Sequence, residues 1–429
     1  MPRAKLDSKN NKVINGLMII GEAFKNADIN DDDLLDTCVK IDFIHYFEGI
    51  EDFRNADMIT YKLQNILLLA FLVILSRGVN SFNGIASYVR FEKEKYEKYG
   101  LIENGKCPSH DTFRRVFELL DARSVYENTI ERLYEFLTMI ESEILNNNVH
   151  KQIMVDGKEV RGSGRSTNSK NPKRNVQILN IYDGSLKTCI HSELIDEKTN
   201  EIPVAQRYLE HMNLKHVVVT ADALHCQRET AKIISKKKGI YVLTVKENQP
   251  LLLEEINTRI DKFKDKARTV KREKRTFELL DLPASYATDG FTGMKKFVRM
   301  SSSTHNAKKK DSRCFISNSK DDDLVIEAIE NRWEIENGLH KEKDSMFKED
   351  EFRSSYRNTV LNVALLNNLA LQLVKIFHAI SGLSYHDAKI YMQLHPMEGI
   401  SKICSVMNSP EIIETIKTEI KKIKKYRSL

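Results

Sequence analysis

The sequence predicts an α/β protein: a mixed sheet flanked by helices, with a β-containing insertion and a helical N-terminal domain. Three observations predict it. A helical texture over the first third of the chain gives way near Val149 to short β-type runs. From there strands and helices follow in the order strand, strand, strand, helix, strand, helix, strand. Two of those strands carry an aspartate in or at the end of an otherwise apolar run.

The elements can be justified in order. Residues 28–36, rich in aspartate, read as an acidic loop before a helix. Ile66–Ser76 is apolar throughout but only about 11 residues long, short of the roughly 20 a membrane span needs. It reads as a buried helix. Phe82–Arg90 has a helical period, with Asn80 or Ser81 as N-cap. Pro108 and Ser109 start another helix, in which Phe113, Val116, Phe117 and Leu120 share one apolar face. That leaves Arg114 and Arg115 on the other side. Val125–Leu145 continues as an amphipathic helix.

Lys151–Gly162, Arg174–Gly184 (closed by an Asp-Gly turn signal) and Ser185–Ile195 read as an antiparallel meander. Ile202–Met212 is helical, His216–Ala223 a strand, His225–Gly239 a helix stopped by glycine, and Ile240–Lys246 a buried strand. This order is that of a ribonuclease H-like domain. Residues 255–322 interrupt it: a basic helix running to about Lys274, then short strands at Phe277–Leu282, Lys296–Met300 and Arg313–Ser317. Asp323–Phe347 and Asn358–Ala379 are helical again. The domain plan is thus a helical N-terminal domain at 1–147, the α/β domain at 148–379, and a helical basic tail at 380–429.

Composition narrows function. The six cysteines form no Cys-x-x-Cys pair, which argues against a zinc ribbon or a disulfide framework. The N-terminus lacks the apolar core of a secretory signal, so the cytoplasm is the expected location, with no membrane partner. A net charge of +6 says little, but lysines cluster at 262–274, 308–310 and 417–425. Such clusters neutralise phosphates or simply solvate a surface.

Three acids stand out. Asp156 lies in the first strand and Asp222 ends the strand His216–Ala223. Glu336 lies in a helix beyond the insertion. In a ribonuclease H-like sheet the first two are neighbours, and a helix brings the third to the same cleft. Two Mg²⁺ (or Mn²⁺) ions held by such carboxylates suit in-line displacement at phosphorus, one activating the nucleophile and the other stabilising the leaving oxygen. Each acid also has an ordinary reading: a turn aspartate before Gly157, a strand-end cap, a solvated helix residue. Arg332, Glu336, His340 and Lys343 fall at helical spacing on one face, either to hold DNA phosphates beside the acid or as plain intrahelical ion pairs.

Several blocks together resemble the H-repeat-associated insertion-sequence transposases, within the DDE transposase superfamily. They are LLLAFLVILSRGVNSFNGIASYVR, CPSHDTFRRVFELLD, VDGKEVRGS, the stretch from Glu201 to Leu252 and RWEIENGLHKEKDSMFKEDEFR. The likeness runs from about Phe43 to Lys375. It implies metal-dependent DNA cleavage and strand transfer at the ends of a bacterial insertion sequence, with Asp156, Asp222 and Glu336 as the catalytic and metal-binding acids. Arg332 and Lys343 fit the superfamily's arginine and lysine around its glutamate, whereas its tyrosine is replaced by Ile329. The family's tryptophan after His340 is replaced by Lys341, and Glu247 stands where a glycine is usual.

On this reading Arg332, Lys343, Lys158, Arg161 and His340 serve DNA near the scissile bond, and Lys246 and Asn248 position it. The helix carrying Arg114 and Arg115 reads the terminal inverted repeats of double-stranded DNA. A homodimer on paired ends is implied by the resemblance alone. The alternative is a domesticated, catalytically silent DNA-binding protein, a repressor or architectural factor.

Overall fold

The structure, a computed structural model, describes residues 12–29, 43, 45–79, 81–146, 149–164, 174–196, 200–286, 290–302 and 311–427. Most of the acidic stretch at 28–36, Asn80 and the lysines at 308–310 lie outside them.

Nine strands form one sheet. They are β1 (Lys151–Val160), β2 (Val176–Asp183), β3 (Thr188–Leu194), β4 (Val217–Ala221), β5 (Ile240–Val245), β6 (Arg268–Arg272), β7 (Arg275–Asp281), β8 (Lys296–Ser302) and β9 (Asp311–Ser317). Their order across the sheet is β3-β2-β1-β4-β5-β9-β8-β7-β6. The first three are antiparallel, whereas β1, β4 and β5 run parallel. Order and direction over these five strands are those expected of a ribonuclease H-like sheet.

Side chains alternate across β1. Ile153 and Val155 join a core with the helices Glu201–His211 and Arg228–Lys236, while Met154 faces the opposite layer. On that opposite side the helix Asp322–Asn331 packs over Val218 and Val242.

The insertion differs from its expected form. The helix stops at Lys262, and residues 268–272 are a strand, so no basic helix reaches Lys274. Val270 pairs with Phe277 in a hairpin that turns at Glu273, whose φ is +49°. Charge density had concealed a strand whose side chains are largely solvated. The insertion also does not stand apart from the sheet: β9 pairs antiparallel with β5, extending it by four strands. The outer edge, β6, carries Arg268, Lys271 and Arg272, charges that discourage edge-to-edge pairing.

The helical regions share a single core. Arg357–Ser381 is apolar nearly all round and long enough to cross a membrane, yet its apolar window is wholly buried in the protein. Around it pack Gly16–Asn26, Leu63–Arg77 and Pro396–Asn408, and the last helix, Pro410–Arg427, joins the same core through Gly16–Asn26 and Pro396–Asn408. The apolar run at 66–76 is accordingly a buried helix. Ser81 caps the next one, accepting from Gly84 N at 3.1 Å. The C-terminal segment is no loose tail, because Ile416, Ile420 and Ile423 are buried in that core. Five cysteines lie among the described residues, and all are free thiols.

Candidate active site

Strand register brings the first two acids together. β1 and β4 are parallel, with Val155 level with Ala221. The next residues are Asp156, in the middle of β1, and Asp222, just past the end of β4, so the two lie side by side where β4 stops and β1 runs on. Asp222 also caps the short turn that follows, accepting from Leu224 N at 2.9 Å. The cap and the site reading therefore coexist, since one oxygen serves the turn.

Glu336 approaches from a π-helical turn, Ile335–His340. Such a turn accommodates one extra residue and shifts the phase of everything after it. The expected common face of Arg332, Glu336, His340 and Lys343 is therefore broken. Glu336 is exposed and within electrostatic reach of Asp156. His340 turns inward, with Nδ1 3.6 Å from Asp156 Oδ2 and Nε2 3.3 Å from the Asn180 amide. Burial, Lys343 and Lys158 hold that imidazole down to about 3, so it is neutral at ordinary pH. Lys375, from the long helix, donates to the Gly338 carbonyl in the same turn at 2.7 Å.

Two further residues enter the cluster that sequence reasoning did not single out. Glu201 opens the helix Glu201–His211, and His225 sits in the short turn after Asp222. One ligand atom from each of Glu201, Asp222 and His225 lies within 4.8 Å of the others. Glu201 immediately precedes the helix expected at Ile202–Met212 and opens the one observed. His225 read as the start of a helix that in fact begins at Arg228. A hint was available in Gly157: a β-carbon there would overlap Glu201 Oε2, so glycine leaves room for that carboxylate.

Burial, then Glu201, Asp222 and Glu336, push Asp156 up to about 7, with His225 opposing them. Mutual repulsion of this kind is relieved by a divalent cation. Among the described residues, Glu201, Asp222 and His225 are the group whose ligand atoms come close enough to share an ion, and carboxylates with an imidazole fit a hard or borderline metal.

The residues expected to meet DNA fall into two groups. Lys343 is 1% exposed and pairs with Glu349 at 3.0 Å. Lys158 is also buried, 2.7 Å from Glu349 and 2.8 Å from Asp344. Both charges are thus engaged inside the protein, which corrects the expectation that they face phosphates. His340 is likewise turned to Asp156. Asn248 donates to the Ala223 carbonyl at 2.6 Å, and so pins the loop behind Asp222.

Arg161 and Lys246 are exposed, Arg161 with Asp350 at 3.8 Å. Arg115 is exposed, whereas Arg114 is tied to Glu118 at 2.8 Å and Asp111 at 3.3 Å. Arg332 lies over Trp333 at 4.0 Å, and Arg313 of β9 lies 4.8 Å from the same ring. Burial and Arg313 hold Arg332 down to about 10, while Glu336 and Asp222 oppose them.

Comparison with known proteins places the chain in a family. The family described as "DDE_Tnp_1-associated" matches residues 44–131, and "Transposase DDE domain" matches residues 147–373. The H repeat-associated putative transposase YhhI of Escherichia coli K12 is 26% identical over 77% of this chain and 90% of its own. The putative protein YbfL of the same strain is 27% identical with the same coverage. An uncharacterized protein of Xanthobacter autotrophicus is 30% identical over 49% of this chain and 68% of its own. Among solved structures, the piggyBac transposase synaptic complex with hairpin DNA aligns with a TM-score of 0.41 and 14% identity, over 96% of this chain and 86% of that one. The second match spans more than half of the sequence, and the chain belongs to the Transposase DDE domain family.

Proposed function

We propose that this protein is a DNA transposase that cuts and joins strands at the ends of a bacterial insertion sequence, with Asp156, Asp222 and Glu336 as its catalytic acids. What supports the reading is that Asp156 and Asp222 follow paired residues of β1 and β4, while Asp222 and Glu336 of the π turn both raise the Asp156 carboxyl and both act on Arg332. Carboxylates so crowded suit Mg²⁺ or Mn²⁺, two ions in the proposed reaction, which when bound supply an activated nucleophile and charge neutralisation at the leaving oxygen. The chain's own part is to fix the acids in register, to hold Asp222 through its capped turn, and to set Arg332 where a phosphate would sit.

Exposed Arg161, Lys246 and Arg115 are the better candidates for backbone contacts along double-stranded DNA. A homodimer acting on paired ends at the bacterial nucleoid completes the proposal. The alternative, a silent DNA-binding protein, would have no need to keep repelling carboxylates together.

The test uses purified protein and DNA carrying the inverted repeats that flank its gene. End-specific cleavage and joined products with Mg²⁺ or Mn²⁺, lost with chelator, support the reading. Sequence-specific binding without cleavage in any divalent metal would favour the silent protein.

A further inference from the structure

We propose that Glu201 and His225, together with Asp222, ligate a divalent cation through a nitrogen donor, making one metal position of this site selective for Mn²⁺-like ions over Mg²⁺. The inference rests on the preceding reading in placing Asp222 in the metal site, and it extends the ligand set beyond the three acids.

Three observations support it. The ligand atoms of Glu201, Asp222 and His225 all lie within 4.8 Å of one another. Ligands about 2.0–2.2 Å from one ion stand at most about 4.4 Å apart, so small side-chain rotations suffice to close on it. Next, His225 is 1% exposed, and neither of its ring nitrogens makes a hydrogen bond. Nε2 lies 3.3 Å from Glu201 Oε1 without hydrogen-bonding geometry. A buried imidazole with both nitrogens idle is costly, and a cation on one of them removes part of that cost. Finally, the surroundings are built to hold this arrangement. Gly157 leaves the space that the Glu201 carboxylate fills. The Asn248 and Gln249 amides donate to the Ala223 and Cys226 carbonyls, at 2.6 and 3.0 Å, on either side of His225.

The chemistry sets the selectivity. Mg²⁺ favours oxygen donors and water in a strict octahedron, whereas imidazole suits softer divalent ions. The position would therefore take Mn²⁺ more readily than Mg²⁺, although Asp222 is common to both ligand sets.

The experiment is pulsed electron paramagnetic resonance of the full-length protein loaded with Mn²⁺ alone. The expected result is nitrogen modulation of the imidazole type in the wild type. It should persist in His340→Gln and disappear in His225→Gln. Glu201→Gln, a milder change, should keep the modulation but weaken Mn²⁺ binding by more than the roughly ten- to hundredfold that outer-shell partners contribute. Bound Mn²⁺ without nitrogen modulation in the wild type overturns the proposal, as does modulation unchanged in His225→Gln.

Cleavage by Asp156→Asn, assayed in parallel, separates the two readings. Absent modulation with cleavage that needs Asp156 defeats only the nitrogen ligand. Clear modulation with cleavage indifferent to Asp156 supports the nitrogen ligand and defeats the catalytic reading.

Discussion

Gly157 and Glu201 compete for one volume: a β-carbon on Gly157 would overlap the Glu201 carboxylate. The clash is with the far end of a flexible side chain, so the backbone need not move. Gly157 has no positive φ, and alanine suits its conformation. Gly157→Ala should therefore leave metal-free stability within about 1 kcal/mol of wild type. Glu201 must swing away, however, so the rise in melting temperature on adding Mn²⁺ should shrink. Thermal melts with and without Mn²⁺ check this. An undiminished Mn²⁺ effect would show that Glu201 does not touch the ion.

A second prediction concerns acid stability. Burial would raise Glu349, but Lys343 and Lys158 hold it down to about 2. A carboxylate near 4.3 when unfolded and about 2 when folded contributes stability that is fully present above the unfolded value. That contribution is lost as pH falls from about 4.5 towards 2. Glu349→Gln should flatten the stability profile across that window. At neutral pH it should cost about 3–5 kcal/mol, because buried Lys343 loses its carboxylate partner while Lys158 keeps Asp344. Urea unfolding across a pH series measures both effects.

Sequence patterning made the sheet and the first two acids legible because both depend on local periodicity. An apolar strand ending in Asp222 and a central strand carrying Asp156 are visible without coordinates. The fate of Lys158 and Lys343 was not visible. Their common partner, Glu349, lies in a 3₁₀ turn after a left-handed Lys348, and nothing in the spacing marks it. The π turn at Ile335–His340 was hidden for the same reason: period counting assumes uniform helix, and one extra residue turns His340 from a surface ligand into a neighbour of Asp156. Glu201 carried no signal in the sequence, since its relation to Asp156 is made by tertiary packing.

Lys375 links the long core helix to that π turn. Its ammonium donates to the Gly338 carbonyl at 2.7 Å, the Lys187 carbonyl at 3.0 Å and the Tyr182 hydroxyl at 3.1 Å. Burial pushes it down to about 7, so desolvation offsets part of what these bonds contribute. Lys375→Met should cost a net of about 1–3 kcal/mol in denaturant unfolding. The larger effect should fall on cleavage: with Gly338 unanchored Glu336 loses its position, and the rate should drop at least about tenfold while DNA affinity holds. Equal losses in binding and cleavage would point to general unfolding instead.

The protein's single tryptophan, Trp333, stands against Arg332 and near Arg313. If Arg332 engages a phosphate there, DNA binding should change Trp333 fluorescence. Arg332→Gln should reduce the slope of log affinity against log salt by about 0.9, the value of one phosphate contact. Lys343→Met should leave that slope unchanged and lower only stability, because its charge is committed to Glu349. A slope that falls in Lys343→Met would reverse the assignment.

Cleavage of DNA bearing the flanking repeats by Asp156→Asn, measured beside a binding titration, bears most directly on the catalytic reading. Loss of a metal-holding carboxylate removes several kcal/mol of transition-state stabilisation, which at about 1.4 kcal/mol per decade is on the order of a thousandfold. The expected result is that loss in rate, with affinity for the ends within about threefold of wild type by the same arithmetic. A variant that still cuts the ends at the wild-type rate would contradict it.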